Sequence, residues 1–85
     1  NNMSANIKWS PIEDGVSLDV SAPSSFLRIL SEAFGHESPW MLEGKHLDIL
    51  NGIKAGVGDK DMKQAINDIC DAILKHNVIR VYAEY

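Results

Sequence analysis

The sequence predicts a small single α+β domain of ββαααβ order, with a three-stranded antiparallel sheet and three helices packed on one of its faces. Three observations lead there. Apolar and polar residues alternate over 6–20, on either side of an Asp14-Gly15 turn signal. Apolar residues recur at helical spacing over 59–76. The chain then closes on VIRVYAEY, residues 78–85, which reads as a strand. Strands at both ends need hydrogen-bond partners, and pairing them with each other is the simplest solution.

In the opening hairpin, Trp9, Val16, Leu18 and Val20 alternate with Lys8, Ser17 and Asp19. Pro11 implies a first strand that is an edge or ends early, because proline cannot donate to a ladder. Ser21-Ala22-Pro23-Ser24-Ser25 stops the hairpin and opens a helix, with serine caps and a proline suited to the first turn. Phe26, Leu27, Leu30, Ala33 and Phe34 form its apolar face, and Gly35 is placed to end it in the left-handed region. Residues 36–41, with Pro39, read as a loop.

A second helix is expected over about 43–55, with Leu47, Leu50 and Ile53 inward. Gly52 in its middle costs about 1 kcal/mol against alanine, which implies a closely packed backbone there. Gly56-Val57-Gly58 breaks the helix and Asp59 caps the next. On that third helix Met62, Ala65, Ile66, Ile69, Cys70, Ile73 and Leu74 form the apolar stripe. In the last strand Ile79, Val81 and Ala83 share one face, and Arg80, Tyr82 and Glu84 the other. Its outer edge is expected to be open, with Arg80 and Glu84 as charged protection against edge pairing.

With 85 residues the chain has room for one core, burying roughly 60–65% of the unfolded surface. Residues 6–85 read as that one domain and 1–5 as a disordered start, in which Asn1-Asn2 look like an addition ahead of a natural start at Met3. A net charge of −4 argues against non-specific binding to nucleic acid or anionic lipid. No apolar run approaches the roughly 18 residues of a membrane span, and no secretory signal pattern opens the chain. The single cysteine, Cys70, can form neither an internal disulfide nor a thiolate cage, so a cytoplasmic setting is expected.

No grouping fixes a chemistry. His36, Glu37, Glu43, His46 and Asp48 are residue types that bind metals or move protons, but their spacing matches no ligand pattern. Solvated residues around a helix start explain them better. His76 suits the end of the third helix, where positive charge is favoured. Cys70 on the apolar stripe reads as core, with a thiol made inert by burial. Gly56-Val57-Gly58-Asp59 lacks the lysine and hydroxyl of a phosphate loop. No catalysis, cofactor or metal is expected.

Two binding readings remain. The first is a small acidic, non-catalytic protein-interaction module, comparable in size and charge to inhibitor and immunity proteins. It would bind a protein, of basic charge by complementarity, through Trp40, Met41, Arg80, Tyr82 and Tyr85. Homodimerisation is compatible with this reading and with the alternative. The alternative is a helix-turn-helix DNA-binding regulator using residues 47–67, in which Gly56 supplies a left-handed turn and Lys60, Lys63, Gln64 and Asn67 face a groove. Asp59, Asp61, Asp68 and Asp71 on the same helix, with no basic arm, weigh against nucleic acid.

Overall fold

A computed structural model describes residues 6–12, 18–20, 22 and 25–84. The elements are β1 (Asn6–Pro11), β2 (Leu18–Val20), α1 (Ser25–Phe34), β3 (Trp40–Glu43), a 3-10 turn (Gly44–His46), α2 (Leu47–Gly56), α3 (Lys60–His76) and β4 (Val78–Glu84). The α+β class stands, with its three expected strands and three helices, but the second helix begins at Leu47 rather than at about 43. A fourth strand, β3, takes the end of the expected loop and the expected helix start, the 3-10 turn follows it, and the sheet order is β2-β1-β4-β3.

Every neighbouring pair in the sheet is antiparallel. β1 pairs with β2 through Ile7↔Val20 and Trp9↔Leu18, so the hairpin is present. Its Asp14-Gly15 turn lies outside the described residues. β1 pairs with β4 along its whole length, from Asn6↔Glu84 to Pro11↔Ile79, which joins the two ends of the domain. Pro11 is the last residue of β1, as a missing donor demands, but β1 is an interior strand and not an edge. β4 is interior too, because β3 pairs on its other side through Trp40↔Val81 and Leu42↔Ile79. Arg80, opposite Met41, therefore does not guard an edge, whereas Glu84 lies past the last β3 pair; among the described residues the outer strands are β2 and β3.

Residues paired across strands point to the same face. Ile7, Trp40, Leu42, Ile79 and Val81 line the inner face and join one core with Phe26 and Leu30 of α1, Leu50 of α2, and Met62, Ala65, Ile66, Ile69, Ala72 and Ile73 of α3. Trp9 and Ile53 are partly buried against it. The α3 stripe thus packs on the sheet, with one change: Leu74 is 70% exposed and Ala72 is buried. At about 100° per residue, position 72 lies on the flank of the stripe centred near Ile66, Ile69 and Ile73, whereas 74 has rotated past its other flank.

Local signals account for most boundaries. Gly35 has φ 111° and its N–H donates to the Ser31 carbonyl, ending α1. The Asp59 carboxylate accepts from the Met62 N–H at 2.9 Å and caps α3. Asn77, with φ 71°, closes α3 and lets β4 start at once. Two glycine expectations fail. A Cβ on Gly52 would meet nothing within 4 Å. The residue lies two positions from buried Leu50, hence on the opposite, solvent side of α2. Gly56 is the last residue of α2 and has no positive φ; the chain leaves the helix through extended Val57, at φ −102° and ψ 147°.

Candidate functional site

Of the five residues expected at a binding surface, the sheet brings three together. Because Met41 pairs with Arg80, and Tyr82 lies two residues further along β4, all three project from the outer sheet face, opposite the helical layer. Lys8 and Ser10 of β1 share that face through the pairs Lys8↔Tyr82 and Ser10↔Arg80. Met41 is 48% exposed, Arg80 and Tyr82 are half-buried, and Ser10 is covered. Lys8 and Glu84 approach as an ion pair, Nζ to Oε1 at 3.7 Å.

Trp40 departs from the group. It is 5% exposed, on the inner face of β3, and its indole Nε1–H donates to the Gly35 carbonyl at 2.9 Å. The apolar body fills the core, while the one polar atom is satisfied by the end of α1. Trp40 is therefore a core residue and not part of the exposed surface. Tyr85 lies outside the described residues.

β4 outruns β3. The last β3–β4 pair is Trp40↔Val81, while β4 continues to Glu84. At this step in the sheet is a shallow hollow of about 360 Å³, lined by Ser38, Pro39, Arg80, Tyr82 and Ala83. The alternation of the last strand places Arg80 and Tyr82 together on one face. Ser38 and Pro39 carried no such signal, since their place depends on β3 docking against β4.

The histidine and carboxylate cluster is dispersed. The Glu43 N–H donates to Nδ1 of His46 at 3.0 Å, and the same imidazole meets the Phe34 ring edge-on at 5.6 Å between centroids. His46 thus ties the 3-10 turn to α1, and His36 is exposed in the preceding loop. Among the described residues no three His, Cys, Asp or Glu side chains gather as a metal site. The His76 ring lies 5.7 Å from that of Trp9, joining the end of α3 to β1. Cys70 is half-buried rather than fully enclosed. Burial raises its thiol pKa, Lys54 across the α2–α3 contact opposes that rise, and Asp71 adds to it.

The helix pair joins through residues 57–59, a connection of helix-turn-helix length. Its nominated polar residues face different ways. Lys63 Nζ donates to the Lys54 carbonyl at 3.0 Å, and Lys54 Nζ donates to Asn67 Oδ1 at 2.8 Å. Gln64 Nε2 donates to Asp68 Oδ1 at 3.0 Å, and Lys60 is exposed. Lys63 and Asn67 therefore help hold α2 against α3.

These features define a class: a small α+β domain whose antiparallel sheet carries helices on one face and a partly polar surface on the other. No helix among the described residues is long and apolar enough to cross a membrane. Comparison with family models, curated proteins and solved structures finds no match to this chain.

Proposed function

We propose that this protein is a small, acidic, non-catalytic protein-interaction module that binds its partner through the outer sheet face beside β3. The observation that carries the proposal is the juxtaposition of Met41, Arg80 and Tyr82 on a sheet face opposite the helices. Methionine, arginine and tyrosine are enriched where interfaces exclude water, and Met41 offers a flexible apolar side chain to a partner. Among the described residues β3 has a strand on one side only, and it adds an edge to the same surface. The net charge of −4 favours encounter with a basic partner.

The test is capture of a stoichiometric partner by the wild-type chain, by Met41→Asp with Arg80→Glu, and by Lys60→Ala on the helical side. A partner kept by wild type and Lys60→Ala but lost by the double variant supports the reading. A partner kept equally by all three, or no partner, refutes it.

The helix-turn-helix alternative is favoured by one observation, the short connection between α2 and α3. The internal bonds of Lys63 and Asn67 leave Lys60 as its main exposed cation. A gel shift at low salt, where phosphate attraction is strongest, tests it; no retention there removes it.

A further inference from the structure

We infer that the hollow at the step between β3 and β4 receives the C-terminal carboxylate of a partner protein's extended tail, with Arg80 as its charge partner. The inference rests on the protein-interaction reading and names what the partner presents. Its first support is electrostatic. Arg80 is half-buried beside the hollow, and no hydrogen bond or ion pair engages its guanidinium among the described residues. The neighbouring cation on this face, Lys8, is already matched with Glu84. A planar five-donor fork held at the surface of a sheet is complementary to a carboxylate, which it can bind in two parallel hydrogen bonds.

The second support is the shape of the step. β3 starts opposite Val81, so Tyr82, Ala83 and Glu84 extend past it. A segment laid along them, antiparallel to β4, would lie in line with β3. After about three residues, each advancing about 3.4 Å, it would run into Pro39 and Trp40. A strand in the middle of a chain would have to turn away there, whereas a chain terminus can simply end.

The charges choose the direction. Running from Glu84 toward Arg80, the segment would place its negative end beside the guanidinium and the Ser38 hydroxyl, away from the Glu84 carboxylate. The Pro39 and Tyr82 rings would flank the last side chain. A hollow of about 360 Å³ is in the size range of small-ligand clefts and suits the end of a peptide. A partner that is basic overall is still steered by the acidic chain, since this recognition needs only its terminal carboxylate.

The experiment uses the full chain and two arrays of the same N-acetylated hexapeptides of varied sequence, one with free C-terminal carboxylates and one amidated. The expected result is retention of a subset of the free acids, weakened about tenfold or more by amidation and by Arg80→Gln. Bound free acids should also shift the Tyr82 and Ala83 amide resonances. Equal retention of the amides, retention unchanged in Arg80→Gln, or no retained peptide overturns the inference. The amide comparison is made on the wild-type protein, so it decides even where Arg80→Gln fails to fold. A protein partner lost by Met41→Asp but kept by Arg80→Gln sinks this inference while sparing the interaction reading. Absence of any protein partner sinks both.

Discussion

Ile69 and Leu74 occupy the same α3 stripe in the sequence, yet one is 0% exposed and the other 70%. Truncating each asks whether the helix lies on the sheet as described. An 85-residue domain is expected to have about 4–13 kcal/mol of stability at 0.05–0.15 kcal/mol per residue. Ile69→Ala would take about 2–5 kcal/mol of that, enough to threaten folding, so Ile69→Val is the better probe. It removes one methylene from a site packed on every side and should cost about 0.5–1.5 kcal/mol. At about 4–8 °C per kcal/mol, the midpoint should fall by about 2–12 °C. Leu74→Ala removes more atoms, but most of them are in water, and the change should stay within about 0.5 kcal/mol. Urea unfolding followed by tryptophan fluorescence, from Trp40 in the same core and Trp9 packed against it, reads both variants with an unchanged m-value. The reasoning is refuted if Leu74→Ala costs as much as Ile69→Val, or if Ile69→Val costs nothing.

Other substitutions probe separate features. Gly52→Ala should stabilise by about 0.5–1 kcal/mol in the same urea assay, because the new methyl meets nothing within 4 Å and the helix gains propensity; destabilisation would mean a neighbour close to Gly52. Asp59→Ala should cost about 1 kcal/mol by leaving the Met62 N–H without its cap, and Asp59→Asn should restore most of that. Burial raises the Cys70 pKa above its ordinary 9.0, so the folded state holds the proton more tightly than the unfolded chain. That contribution is complete below pH 9.0 and is lost as pH rises through the higher folded value, so the stability difference between wild type and Cys70→Ala should shrink above pH 9.0 in denaturation curves measured across that range.

What the sequence made legible was the structure whose signal is periodic or chemical over short range. The α3 stripe, the Asp59 cap, Gly35 at the end of α1, and the alternation of Ile79 and Val81 against Arg80 and Tyr82 all follow from local rules. β3 was not legible, because Trp40-Met41-Leu42-Glu43 is too short to show a period and sits between Pro39 and a helical turn. Its strand geometry comes from ladder bonds to β4, a partner more than thirty residues away. Gly52 misled for a related reason: a glycine in a helix states a local cost, and nothing in the sequence says whether a neighbour offsets it. Of the candidate surface, Arg80 and Tyr82 could be placed on one face from β4 alone, whereas Met41 could join them, and Trp40 leave them, only once β3 had a register.

That register explains why residues 36–46 have two jobs. Without β3, the inner-face edge of β4 at Ile79 and Val81 would border open space, and the core would end in exposed side chains. Trp40 and Leu42 close it, and the indole N–H bond to Gly35 ties that closure to the end of α1. The Glu43 N–H bond to His46 then turns the chain into α2. Alternation forces the intervening residue, Met41, to face outward beside Arg80, so building the core also builds the outer surface. Trp40→Phe should therefore disturb both. It keeps most of the apolar volume but leaves the Gly35 carbonyl without its indole donor, at a cost of about 1 kcal/mol. If β3 is held in place partly by this bond, hydrogen exchange at Met41 and Leu42 should accelerate by more than at the centre of α3. Uniform acceleration across the domain would show that the bond adds only to global stability and that β3 is held by its ladder alone.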